Sequence, residues 1–146
     1  MLSKIKQLIK ELGVEIQFME FVRHGYFGIE NNKPIIFIND NLNELDTSLT
    51  ILHETAHFLN GDCDKYITNH FQNDNLEYEA NKYMIQEVMK MLDEQYDFTT
   101  DTNYQQIIDN LNLPYNLDGI IIDEFNNIIS DKLGLTPYHE SDCFYE

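Results

Sequence analysis

The chain has no tryptophan, only three prolines and two cysteines in 146 residues. Cys63 and Cys143 stand far apart in the sequence, which is not the spacing of a secreted disulfide framework. Positive charge is scarce. Nine Lys and Arg face 26 Asp and Glu, Arg23 is the only arginine, and the formal net charge is −17. Affinity for phosphate rests on clustered Lys and Arg, so this balance argues against direct binding of nucleic acid. No apolar run approaches the ~18 residues of a membrane span. The opening Met1-Leu2-Ser3-Lys4-Ile5-Lys6 lacks the unbroken apolar stretch and small-residue cleavage site of a signal peptide. Repeats, low-complexity tracts and long linkers are absent too, as is any pattern that sets an oligomeric state. The expectation is one acidic, cytoplasmic domain over residues 1–146.

What is present suits a globular fold. Hydrophobic residues make up 42% of the chain and aromatics 12%, too much apolar matter for a disordered segment. A chain of this length buries roughly two-thirds of its unfolded surface, so it needs no disulfide or metal merely to fold. The charge is uneven, with residues 61–146 carrying most of the acids. A solvated surface accounts for this, and an acidic face for a basic partner is the other reading.

Periodicity assigns the elements. Leu2, Ile5, Leu8, Ile9 and Leu12 recur at helical spacing, with Ser3 as a candidate cap and Gly13 just past the end. Val14, Ile16 and Phe18 then alternate as a strand does. Tyr26–Ile29 and Ile35–Ile38, separated by Glu30 to Pro34, read as a hairpin, with Pro34 at a strand start. Helical patterns follow over Ser48–Asn60, ended by Gly61, and over about 74–93, capped by Asp74 or Asn75. Two weaker helices are expected at 104–112 and 118–133. This is an α+β chain, with its motifs in about residues 1–92 and a helical C-terminal part over about 93–146.

The chemistry lies in His53-Glu54-Thr55-Ala56-His57. On a helix, residues four apart stand one turn above each other, so both imidazoles enter the same space. Two neutral imidazole nitrogens suit Zn²⁺ at about 2.0–2.1 Å, and Glu54 is placed to act as a base on water. The flanking residues Thr50-Ile51-Leu52 and Phe58-Leu59 are mainly apolar, and ionisable rings among them need a partner to offset desolvation. A catalytic zinc site takes three protein ligands. Cys63 occupies the place of a third His six residues after His57, and Asp62, Asp64 and His70 are possible donors that spacing does not single out.

The next helix offers Leu76-Glu77-Tyr78-Glu79-Ala80-Asn81, which resembles the Glu-x-x-Ala-Asp turn of helical zinc peptidases with a glutamate ligand. Against an apolar stripe of Leu76, Ala80, Tyr83, Met84 and Met91, Glu77 lies roughly 60° from the centre and Glu79 roughly 100°. Glu77 is therefore the expected third ligand and Glu79 its competitor. Asn81, one turn on, is a candidate hydrogen-bond partner for a ligating His. Tyr66, His70, Tyr78 and Tyr83 are candidate donors to a tetrahedral intermediate. His24 and His139 read as surface residues, and the tail from Tyr138 to Tyr145 as a segment that packs on helices or covers the cleft.

The pairing of His53-Glu54-x-x-His57 with Glu77-x-x-Ala80-Asn81-x-Tyr83 resembles the ImmA/IrrE family of metallopeptidases, in the short prophage form without a DNA-binding domain. The order of helix, small sheet and metal helix is similar as well. The resemblance implies a zincin-like α+β fold, with a small, mainly antiparallel sheet packed on the HExxH helix and a glutamate helix. It also implies Zn²⁺ held by His53, His57 and Glu77, with Glu54 as the base. The implied partner is a protein substrate, commonly a helix-turn-helix repressor of phage or mobile-element genes. Ile35–Asn39, if at the sheet edge, would pair with the substrate main chain. Thr55-Ala56, Tyr83-Met84 and Ile85-Gln86-Glu87-Val88 depart from the family's usual Leu-Gly, Phe-Ala and Leu-Leu-Met-Pro. They remove neither a ligand nor the base, so they bear on the substrate pocket more than on the chemistry. A competing expectation is a non-proteolytic antirepressor module that sequesters a DNA-binding partner, its metal site structural or vestigial.

Overall fold

The computed structural model describes residues 1–20, 23–62 and 70–135, with the backbone alone at 70–73. The chain divides into two compact units, Met1–Val88 and Met89–Glu146. The first holds α1 (Leu2–Glu11), β1 (Glu15–Met19), β2 (Gly25–Glu30), β3 (Lys33–Asn39), α2 (Glu44–Leu59) and most of α3 (His70–Tyr96). The second holds the end of α3, α4 (Tyr104–Leu111), a short 3₁₀ turn and α5 (Asp118–Lys132). The fold is α+β. Among the described residues no helix is long and apolar enough to cross a membrane.

Local chemistry explains most boundaries. At the end of α1, Gly13 takes φ +74°, and the Val14 N–H reaches back to the Ile9 carbonyl. Glycine adopts this left-handed turn without the Cβ penalty. The start of α1 differs from expectation. Met1 is the cap residue and Ser3 lies inside the helix. The β2–β3 hairpin turns on Asn31 and Asn32, at φ 53° and 63°, the left-handed pair that suits the strand twist. A two-residue loop puts Ile29 and Pro34 opposite each other at a non-hydrogen-bonded position, so β2 asks nothing of the missing proline N–H.

The sheet order is β1-β3-β2, with β3 antiparallel to β2 and parallel to β1. It is therefore mixed, not mainly antiparallel. The reason is topological, because the tight hairpin inserts β3 between β1 and β2. This also overturns Ile35–Asn39 as an edge, since β3 is paired on both sides. Its Ile36 and Ile38 are fully buried, and they share a sheet face with Phe27, whose ring meets Phe58 of α2 at 5.6 Å. Burying each such side chain contributes about 1.5–3 kcal/mol.

Helix α2 begins a turn earlier than the apolar pattern suggests. Asn43 caps it, its side chain accepting from the Asp46 N–H at 2.7 Å, and Glu44 and Asp46 complement the positive helix end. Helix α3 also starts earlier, at His70, so Asp74 and Asn75 are interior residues and not caps. Nothing in His70-Phe71-Gln72-Asn73 breaks a helix, and an Asp or Asn preference for caps yields to that continuity. In the second unit, Phe125 packs its ring on Phe98 at 5.6 Å and on Tyr104 at 5.8 Å. Lys132 ties Asp93, Asp97 and the Phe98 carbonyl together.

Candidate metal centre

Helix α2 carries His53, Glu54 and His57 on its way through the core. Ile51, Leu52, Thr55 and Ala56 are almost wholly buried, which fixes the helix's rotation and turns the two imidazoles toward one point. The buried hydroxyls of Ser48 and Thr55 return to the carbonyls of Glu44 and Ile51, at 2.8 and 2.6 Å. Thr55 and Ala56 thus face the core, so this departure from the family pattern concerns packing and not the substrate pocket.

The rings of His53 and His57 meet edge to face, with centroids 4.9 Å apart and Nε2 atoms 3.2 Å apart. Glu77, from α3, completes the group. Its Oε2 lies 2.9 Å from His53 Nε2 and its Oε1 lies 3.1 Å from His57 Nε2. Nitrogens about 2.0–2.1 Å from a tetrahedral ion stand roughly 3.3 Å from each other. The observed separations are close to that, so the donor set fits a cation of zinc's size and ligand preference. Ligand atoms of His53, His57 and Glu77 all lie within 4.8 Å of one another. Glu79 is exposed to solvent, away from this cluster.

Asp62 has a different role from the direct ligand that spacing allowed. Helix α2 ends at Leu59, and Gly61 at φ +66° reverses the chain. That reversal brings the fully buried Asp62 carboxylate to 3.0 Å from His57 Nδ1. A carboxylate behind a histidine fixes the tautomer, leaving the Nε2 lone pair for a metal. Spacing offered Asn81 as a partner for a ligating His; behind His57 the structure places Asp62. Sequence reasoning also passed over Arg23, whose charge acts on Glu54. Its signal was being the chain's lone arginine, but nothing local linked it to a residue 31 positions later.

The protonation states follow from burial and charge. Burial pushes the Glu54 carboxyl above its usual value; His53 and His57 pull it down, Glu77 pushes it up and Arg23 pulls it down, with a net rise. Burial pulls His57 down, but the hydrogen bonds it donates to the Glu77 and Asp62 carboxylates and the charges of Glu77 and Glu54 outweigh it. The ring therefore holds its proton above the ordinary 6.5.

Of the other candidates, Tyr78 is exposed and Tyr83 half-buried on α3, and His24 is exposed in the β1–β2 connection. Cys63, Asp64, Tyr66, His139, Cys143 and the aromatic tail lie outside the described residues, as does the side chain of His70. A family model for the M78 peptidases, described as the IrrE N-terminal-like domain, matches residues 9–108. No curated protein and no solved structure matches the chain.

Proposed function

We propose a function for a chain that belongs to the M78 peptidase family, that of the IrrE N-terminal-like domain, and is therefore of metallopeptidase type. We read it as a zincin-like, zinc-dependent endopeptidase acting in the cytoplasm on a helix-turn-helix repressor encoded nearby. The observation that carries the reading is the convergence of His53, His57 and Glu77 beside the buried Glu54.

In this reading His53, His57 and Glu77 hold Zn²⁺. When bound, the ion makes water acidic near neutrality and polarises a carbonyl. Glu54 takes the proton from the attacking water and passes it to the leaving amine. Burial, which raises its carboxyl pKa above the ordinary value, makes it a stronger base toward that proton. Asp62 holds the His57 ring by its Nδ1–H, so that Nε2 stays aimed at the cluster. The family match favours hydrolysis over a sequestering module. The substrate assignment rests on the resemblance alone, which implies a repressor of this kind.

The test is incubation of the zinc-loaded protein, and of its Glu54→Gln variant, with the repressor encoded beside it. Cleavage by the parent, reduced about 10²–10⁴-fold in the variant, is expected for loss of a general base. An intact repressor in the presence of zinc-loaded parent overturns the substrate assignment. Equal cleavage by both proteins overturns the role of Glu54.

A further inference from the structure

Away from the histidines, α1, β1 and the start of β3 line a cleft of about 500 Å³, in which Lys6, Lys10 and Lys33 outnumber a single acid, Glu15, beside Ile9, Ile16 and Phe18. Three of the nine basic residues of a chain with net charge −17 gather here. All three lysines are exposed, and among the described residues none has a carboxylate within ion-pairing distance. Lys6 Nζ stands 5.3 Å over the Phe18 ring, which keeps one ammonium over the cleft instead of in bulk solvent.

The cleft borders an open strand edge. Among the described residues β1 pairs only with β3. The Met19 carbonyl accepts from the Asp40 N–H, so the backbone groups of odd-numbered β1 residues point to β3. Alternation then directs those of Ile16 and Phe18 outward, away from the sheet. Their side chains share a face with Ile36 and Ile38 and border the cleft. Phe18 and Met19 remain 43% and 37% exposed, unusual for apolar residues on an edge that is otherwise an invitation to pairing.

We propose that this cleft binds an acidic peptide segment in extended conformation, added as a strand along the open edge of β1. The backbone of Ile16 and Phe18 supplies the ladder, the side chains of Ile16 and Phe18 receive alternate residues, and Lys6, Lys10 and Lys33 face the carboxylates. Charge complementarity selects the occupant, because an acidic peptide finds here a local excess of positive charge on a surface that elsewhere repels it. A small anion would use the lysines and leave the strand edge unused. The inference goes beyond the hydrolytic reading and does not depend on it.

The test uses the zinc-loaded Glu54→Gln protein, so that a bound peptide is not consumed, and a capped heptapeptide alternating Asp or Glu with Val. Calorimetry should show binding that weakens as salt is raised. Lys6→Gln, Lys10→Gln and Lys33→Gln together should lower the affinity at least tenfold, as should replacing the peptide's acids with Asn and Gln. These lysines are exposed, so the triple variant should keep its circular dichroism spectrum and zinc content. N-methylation of the peptide at alternate residues, with its charge unchanged, should also lower the affinity tenfold. Equal binding of the neutral peptide overturns the charge selection, and equal binding of the methylated one overturns strand addition. Binding of inorganic phosphate without the peptide identifies a small-anion site and overturns the proposal. If the zinc-loaded parent leaves the repressor intact while the variant binds the peptide, the substrate assignment falls and this inference stands.

Discussion

Replacing Asp62 by asparagine isolates one charge behind the candidate metal site. The carboxylate is fully buried, with Oδ2 3.0 Å from His57 Nδ1. Asparagine has the same shape and keeps a carbonyl oxygen that accepts from Nδ1–H, so the ring's orientation survives while the negative charge is lost. A hydrogen bond involving a charged group contributes about 1.5–3 kcal/mol and a neutral one about 0.5–1.5. The difference, about 1–1.5 kcal/mol, is a lower bound, because the charge also makes the imidazole a stronger donor to a cation. Carboxylates behind ligating histidines typically contribute 10–100-fold in metal affinity, so we expect a loss of about 30-fold, or about 2 kcal/mol. The loss should depend on pH. Asp62 helps to hold the His57 proton, and zinc must displace that proton. In the variant the proton leaves at lower pH and competes less, so the gap between the two proteins should narrow as pH falls. Competition with a chromophoric zinc chelator between about pH 6 and 8 measures both effects, with circular dichroism to verify folding. A folded variant whose zinc affinity at pH 8 stays within about threefold of the parent refutes the reasoning.

The remaining expectations concern the ligand set, the titration of the site and the sheet. Glu77→Gln should lose most zinc affinity in a direct titration, since a neutral amide is a poor substitute for a carboxylate, whereas Glu79→Gln should change zinc content little and stability by at most about 0.3–1 kcal/mol. The reverse pattern overturns the assignment of Glu77. Because the folded His57 pKa is raised, its contribution to the stability of the zinc-free protein is fully present below about 6.5 and is lost as pH rises through the folded value. Urea denaturation in the presence of chelator should show that decline above pH 6.5, while zinc affinity climbs over the same window; a flat profile contradicts the His57 assignment. At Gly25 an added Cβ would lie 2.7 Å from Thr50 Cγ2 and 2.8 Å from the Phe37 carbonyl oxygen. Gly25→Ala should therefore destabilise the fold by about 1–3 kcal/mol, and an unchanged urea midpoint would contradict that close approach.

The features readable from sequence are those set by short-range chemistry. His53 and His57 converge because the helix places residues four apart on one face. Gly13 marks the end of the first helix because its backbone tolerates positive φ. The alternation of Ile16 and Phe18 announces a strand whatever it pairs with. Where local preference was the only guide, neighbours overruled it, as at Ser3, Asp74 and Asn75, which lie inside helices that extend past them. Strand order was not legible, since Ile35–Ile38 reads the same at an edge or in the middle; hairpin connectivity put it in the middle and, among the described residues, left β1 paired on one side. Nor could spacing decide what stands behind His57. Asp62 reaches it only because Gly61 reverses the chain at the end of α2, whereas Asn81 sits at an equally plausible helical spacing. Glu77, 24 residues from His53, was reachable through its own motif and helix face, whereas Arg23 acts on Glu54 from another element entirely. Pairings of that range depend on how helices and sheet pack, and packing is a property of the folded core and not of any one segment.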